Sequence, residues 1–85
     1  MMKYIFAISI LTENALRVLQ RMAGIFARFR LNIEQMNVNE TANRGVSYFN
    51  IIVHSDEKTV HRVIKQLEKI FELIEIKINS QIPLL

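Results

Sequence analysis

Between Gly24 and Val38 the spacing of apolar residues changes from helical to extended within about three positions, and no other stretch constrains the fold as tightly. The run Gly24-Ile-Phe-Ala-Arg-Phe-Arg30 closes a segment in which Ala15, Leu19, Met22, Phe26 and Phe29 recur at steps of three and four. That recurrence is one face of a helix, carried to Arg30. From Leu31–Ile33 onward the period is two. Asn32–Glu40 reads as a strand with Met36 and Val38 on one side and Gln35, Asn37 and Asn39 on the other. Ile33 is out of phase with Met36, which predicts an irregular start to this strand.

The rest of the chain alternates between the same two periods. In Lys3–Leu11 both alternating sets, Tyr4/Phe6/Ile8/Ile10 and Ile5/Ala7/Leu11, are mainly apolar, which predicts a central strand covered on both faces. Thr12-Glu13-Asn14 breaks it, with Asn14 as the expected side-chain cap of the first helix. Asn43-Arg44-Gly45 is a hairpin turn, because Asn and Gly tolerate positive φ. Val46–His54 is a strand with Phe49, Ile51 and Val53 inward. Ser55 is the expected cap of a second helix, Asp56 and Glu57 suit its N-terminal dipole, and Val60, Val63, Ile64, Leu67, Ile70 and Phe71 form its apolar stripe. Ile74, Ile76 and Ile78 alternate with Glu75, Lys77 and Asn79 in a last strand. The order βαββαβ predicts an α+β, ferredoxin-like domain over residues 1–79: a four-stranded antiparallel sheet with two helices on one face. Residues 80–85 are expected to be a short tail.

The 85 residues suffice for one domain, and so short a chain buries only about 60% of its unfolded surface. Its 51% hydrophobic content is high for that size and points to a partner subunit, a homodimer in the first instance. No apolar run reaches the roughly 18 residues of a membrane span, and the start Met1-Met2-Lys3-Tyr4 is not followed by a small-residue cleavage site. Cysteine is absent, so a reducing cytoplasm is the default setting. The net charge of +3 lies mostly on the predicted helices: Arg17, Arg21, Arg28 and Arg30 on the first, Lys58, Arg62, Lys65 and Lys69 on the second. Solvated helix faces account for it, without a nucleic-acid partner.

Catalytic constellations are missing. His54 and His61 are the only histidines, Asp56 is the only Asp, and Gly24 and Gly45 cannot make a phosphate loop. No metal site is expected. One binding motif competes: Arg44-Gly45-Val46-Ser47-Tyr48-Phe49 opens like the third-strand signature of sheet-face RNA-binding domains, with Phe6 and Tyr48 as the remaining stacking pair. Val46 and Ile51 stand where further aromatics belong, and the basic residues lie elsewhere.

The junction GIFARFRLNIEQMNV closely resembles the helix-to-strand junction of the ACT domain in the small, regulatory subunit of acetolactate (acetohydroxyacid) synthase. There a Gly-Leu-Phe-Ala-Arg-Arg run leads into Asn-Ile-Glu or Asn-Val-Glu. The resemblance extends along nearly the whole chain: Glu13-Asn14, Leu19 and Arg21, Ser55-Asp56-Glu57-Lys58, and Lys65-Gln-Leu-Glu-Lys-Ile-Phe-Glu-Leu-Ile-Glu-Ile76. It implies a non-catalytic subunit of the short, single-domain kind that activates a large catalytic chain in branched-chain amino acid biosynthesis. Thiamine diphosphate, magnesium and flavin would belong to that large chain, and no cofactor to this one. A stand-alone amino-acid-binding ACT module acting on another protein is the alternative.

In the family an effector such as valine sits between the first loop of one subunit and the second strand of its dimer neighbour. The resemblance therefore implies a site at Asn14, Ala15, Leu16 and Arg17 in the loop and Asn32 and Ile33 at the strand start. Backbone amides at a helix start suit a carboxylate, and side-chain amides suit the amino acid's remaining polar groups. Taken singly, Asn14 reads as a helix cap and Asn32 as a polar helix-exit residue. Two departures stand out. Arg17 occupies the place of a glycine that admits the ligand close to the backbone, and Arg30 replaces the glycine at the end of the first helix. The expectation is weak valine binding or none.

Overall fold

The computed structural model describes residues 2–85. Six elements follow in the order β1 (Lys3–Glu13), α1 (Ala15–Arg28), β2 (Ile33–Glu40), β3 (Val46–Asp56), α2 (Glu57–Leu67) and β4 (Leu73–Pro83). The strands form one sheet in the order β2-β3-β1-β4, every neighbouring pair antiparallel. This is the expected βαββαβ fold.

Register decides which residues reach the core. Phe6, Ile8 and Ile10 of β1 lie opposite Val53, Ile51 and Phe49 of β3, so all six point to one face. Val18, Met22 and Phe26 of α1 and Val60, Val63 and Leu67 of α2 close over them, and all twelve are buried. Only one of the two apolar sets of β1 is covered in this way. Ile5, Ala7 and Leu11 face the opposite side of the sheet and remain half-buried, which corrects the expectation of a strand covered twice. Both helices lie on one side, and among the described residues no element covers the other.

The helices differ from the sequence reading in phase and in caps. The α1 stripe is centred on Val18, with Ala15, Leu19, Ile25 and Phe29 at its flanks. Phe29 is held at the helix exit under two guanidinium groups, Arg28 at 5.2 Å and Arg62 at 5.4 Å from its ring centre. Asp56, rather than Ser55, caps α2: its carboxylate accepts the Thr59 backbone N–H at 2.9 Å and the Thr59 hydroxyl at 2.8 Å. Ser55 still belongs to β3 and points into the core opposite Tyr4. Phe71 is not part of the α2 stripe. The helix ends at Leu67, a turn closes from Leu73 N–H to the Ile70 carbonyl at 3.2 Å, and Phe71 is left 92% exposed.

Bulges explain the remaining differences. β2 pairs Ile33 with Val53 and Gln35 with Ile52, so Glu34 is the extra residue. That shift returns Ile33 to the face of Met36 and is the irregular start the sequence predicted. A bulge in β4 makes Ile74 the extra residue and leaves it exposed, while Ile76 and Ile78 point inward opposite Ile10 and Ile8. A second bulge at Asn79 lets β4 continue, with Ser80, Gln81, Ile82 and Pro83 pairing with Ala7, Phe6, Ile5 and Tyr4. Most of the expected tail after residue 79 is therefore sheet.

Candidate functional site

The loop joining β1 to α1 is braced from two sides. The Asn14 amide donates to the Gly45 carbonyl of the β2–β3 hairpin at 3.1 Å. On the other side, the Glu72 carbonyl accepts both the Glu13 amide at 3.0 Å and the Thr12 hydroxyl at 3.0 Å. Gly45 sits at φ 81°, the positive value that the hairpin reading allows a glycine, whereas Asn43 does not adopt one.

Asn14 itself is left-handed, φ 51° and ψ 63°, and its side chain makes no capping hydrogen bond. This corrects its expected role. A side-chain cap requires an extended backbone at that position, and the left-handed conformation turns the amide away from the first helical turn. The N–H groups of Ala15, Leu16 and Arg17 have no intrahelical acceptor and no side-chain cap, and no acidic residue lies in the turn. Leu16 is 78% exposed. The start of α1 is thus an uncapped set of donors with one cation beside it, a geometry suited to a carboxylate.

The Arg17 side chain does not fold into the loop. Its Nε lies 3.5 Å from the Glu72 carboxylate, with the Arg17 side chain 70% exposed and that of Glu72 only 15%. Sequence reasoning missed Glu72, because nothing in its spacing marks a turn residue that meets the first helix.

Asn32 and Ile33 are not brought to this loop. Glu13, preceding Asn14, pairs with Val46, whereas Ile33, following Asn32, pairs with Val53. Seven residues of β3 separate those positions, roughly 23 Å along the sheet. Asn32 is exposed and Ile33 half-buried at the far end. Within one chain the six expected site residues form two separate groups. An open depression of about 300 Å³ lies elsewhere again, against Met2, Tyr4, Asp56, Glu57 and Lys58.

The RNA-stacking alternative fails on register. Phe6 is buried under the helices, while Tyr48, opposite Leu11, lies on the open face. The two rings cannot form one platform.

Comparison with known proteins matches the chain to a family. A family model described as an AHAS small subunit-like ACT domain matches residues 8–75. A protein of Archaeoglobus fulgidus named "Probable acetolactate synthase small subunit" is 44% identical over 69 residues, covering 81% of this chain and 43% of that protein. The crystal structure of an acetolactate synthase small subunit from Thermotoga maritima superimposes with a TM-score of 0.75 at 31% identity, covering 87% of this chain and 46% of that one. The ACT domain of a GTP pyrophosphokinase from Chlorobium tepidum has the same fold, TM-score 0.75 at 17% identity, over 89% of this chain and 97% of its own. The chain spans less than half the length of both small subunits. With the matched region running from the middle of β1 into β4, the chain belongs to the family of AHAS small subunit-like ACT domains.

Proposed function

We propose that this chain is a regulatory subunit of acetolactate synthase, acting in the cytoplasm by contact with a separate catalytic chain and turning over no substrate itself. Family membership carries the reading. The β1–α1 loop supports it, since it offers backbone donors and one guanidinium rather than an acid–base pair. Thiamine diphosphate, magnesium and flavin belong to the catalytic chain in this reading.

The working unit is a homodimer. β2 is an edge strand with one row of backbone groups unpaired. Antiparallel pairing of two such edges about a two-fold axis sets the Ile33 end of one copy beside the Glu40 end of the other. Asn32 and Ile33 of the second copy then approach Asn14, Ala15, Leu16 and Arg17 of the first. A branched-chain amino acid placed there would give its carboxylate to the free amides of α1, with Asn14 and Asn32 orienting the rest.

The experiment is reconstitution. Acetolactate formation from pyruvate is measured with the purified cognate large subunit, with this chain alone, and with both. The chain alone should be inactive and the mixture several-fold faster than the large subunit alone. Equal rates with and without the chain would end the proposal.

A further inference from the structure

The open face of the sheet carries a line of side-chain hydrogen bonds across all four strands. Asn37 Oδ1 on β2 accepts from Asn50 Nδ2 on β3 at 3.2 Å and from Asn39 Nδ2 at 3.2 Å. Asn50 Oδ1 accepts from Ser9 Oγ on β1 at 3.3 Å, and Ser9 Oγ accepts from Asn79 Nδ2 on β4. Register produces the alignment, since Asn37 lies opposite Asn50 and Asn50 opposite Ser9. Apolar side chains flank the line on both sides, with Ala7 and Ile52 toward one end and Leu11 and Tyr48 toward the other. Tyr48 is 38% exposed. Between Lys3 and Glu13 of β1, and along β3 opposite them, this face holds no Asp, Glu, Lys or Arg. Its charges lie at the rim: Lys3 opposite Asp56 at one end of β1, Glu13 at the other, and Glu75 and Lys77 on the edge strand β4, where Lys77 flanks Ser9.

We infer that a second copy of this chain covers the face, the two sheets stacking with a two-fold axis near the amide line. A two-fold interface brings each group at the axis against its own kind. Carboxylates or ammonium groups would repel there, whereas an amide or hydroxyl both donates and accepts and so complements itself. The uncharged centre meets that requirement, and the apolar residues on either side supply what is buried.

Size agrees. Four strands about 4.8 Å apart, with roughly ten paired residues of about 3.3 Å each, give a face on the order of 600 Å². Two copies bury on the order of 1,200 Å², the lower bound of stable, specific interfaces. The face is distinct from the β2 edge, so the stack is compatible with the edge dimer and joins two such dimers into a tetramer.

The sequence contains no cysteine, so an introduced thiol is unique in it. Ala7→Cys, close to the line, should be joined to a second chain in high yield by a bis-maleimide of about 10 Å reach, the spacing of stacked sheets. Lys58→Cys on the exposed start of α2 should not. Asn50→Asp places like charges across the axis. It should halve the mass measured by light scattering at micromolar concentration, from four chains to two if the β2 edges pair and from two to one if they do not. Failure of the edge dimer is thereby kept apart from failure of the stack. Equal cross-linking of the two cysteine variants overturns the inference, as does cross-linking of Ala7→Cys that is absent alone while the large subunit shields the thiol. An Asn50→Asp chain of unchanged mass and unchanged circular dichroism overturns it too.

Discussion

Asp56 starts α2 with an extended backbone, φ −82° and ψ 158°, so both carboxylate oxygens reach Thr59. The hydrogen bond from the Thr59 amide, then that from its hydroxyl, holds the Asp56 carboxyl below its ordinary value of 3.8. A lowered folded value means that the cap's contribution is complete above that ordinary value and is lost as pH falls through the folded one. Asp56→Ala should cost about 1 kcal/mol at neutral pH by urea denaturation. The deficit should shrink as the solution is acidified below the ordinary carboxylate range, and a deficit independent of pH would show that the charge of the cap contributes nothing. Ser55 and Asp56 are both good caps by residue type, and only the last paired residue of β3 decides between them.

At the scale of elements, the handover from α1 to β2 holds the strongest sequence signal and a local strain. Arg30 is left-handed at φ 56°. Its N–H donates to the Ala27 carbonyl at 3.1 Å, and the Leu31 N–H to the Phe26 carbonyl at 2.9 Å, the paired bonds of a Schellman helix end. That position favours glycine, because a Cβ there meets the following carbonyl. Arg30→Gly should therefore raise stability by about 1 kcal/mol, seen as a higher urea midpoint with unchanged slope at fixed protein concentration. A lower midpoint would mean that the Arg30 side chain stabilises the helix exit. Element identity and order were legible because the two hydrophobic periods are clean on each side of this junction. The bulges at Glu34, Ile74 and Asn79 were less so. Only Ile33 broke its own alternation, whereas Ile74 kept perfect phase with Ile76 and still fell outside it. What covers the second face of β1 was illegible for a related reason: an apolar strand looks the same whether that face meets a helix, another subunit or water.

Across the whole molecule, the candidate site residues lie at two ends of the sheet, and under the proposed dimer their chemistry depends on how copies assemble. The sequence placed Asn14 and Asn32 together only through the family resemblance; the fold separates them along the length of β2. Arg17 enters differently from its sequence reading. Its side chain leaves the loop for Glu72, so steric filling is not what limits an effector. In the proposed site the limit is electrostatic, because the cation best placed for a ligand carboxylate is already paired with Glu72. Valine should bind the wild-type chain no tighter than about 1 mM, near −4 kcal/mol. Glu72→Gln keeps the backbone carbonyl that braces the loop and releases the guanidinium. A charge-assisted hydrogen bond of about 1.5–3 kcal/mol, discounted for the exposure of Arg17, corresponds to roughly tenfold tighter binding. Arg17→Gly should leave the affinity unchanged or raise it, since the wild-type side chain is engaged elsewhere. Calorimetric titration of all three proteins at one chain concentration decides the matter. If two copies build the site as proposed, saturating valine should also shift the chain toward the dimer by mass action. A micromolar constant for the wild type, or a Glu72→Gln chain that binds no better, would show that Glu72 does not gate this loop.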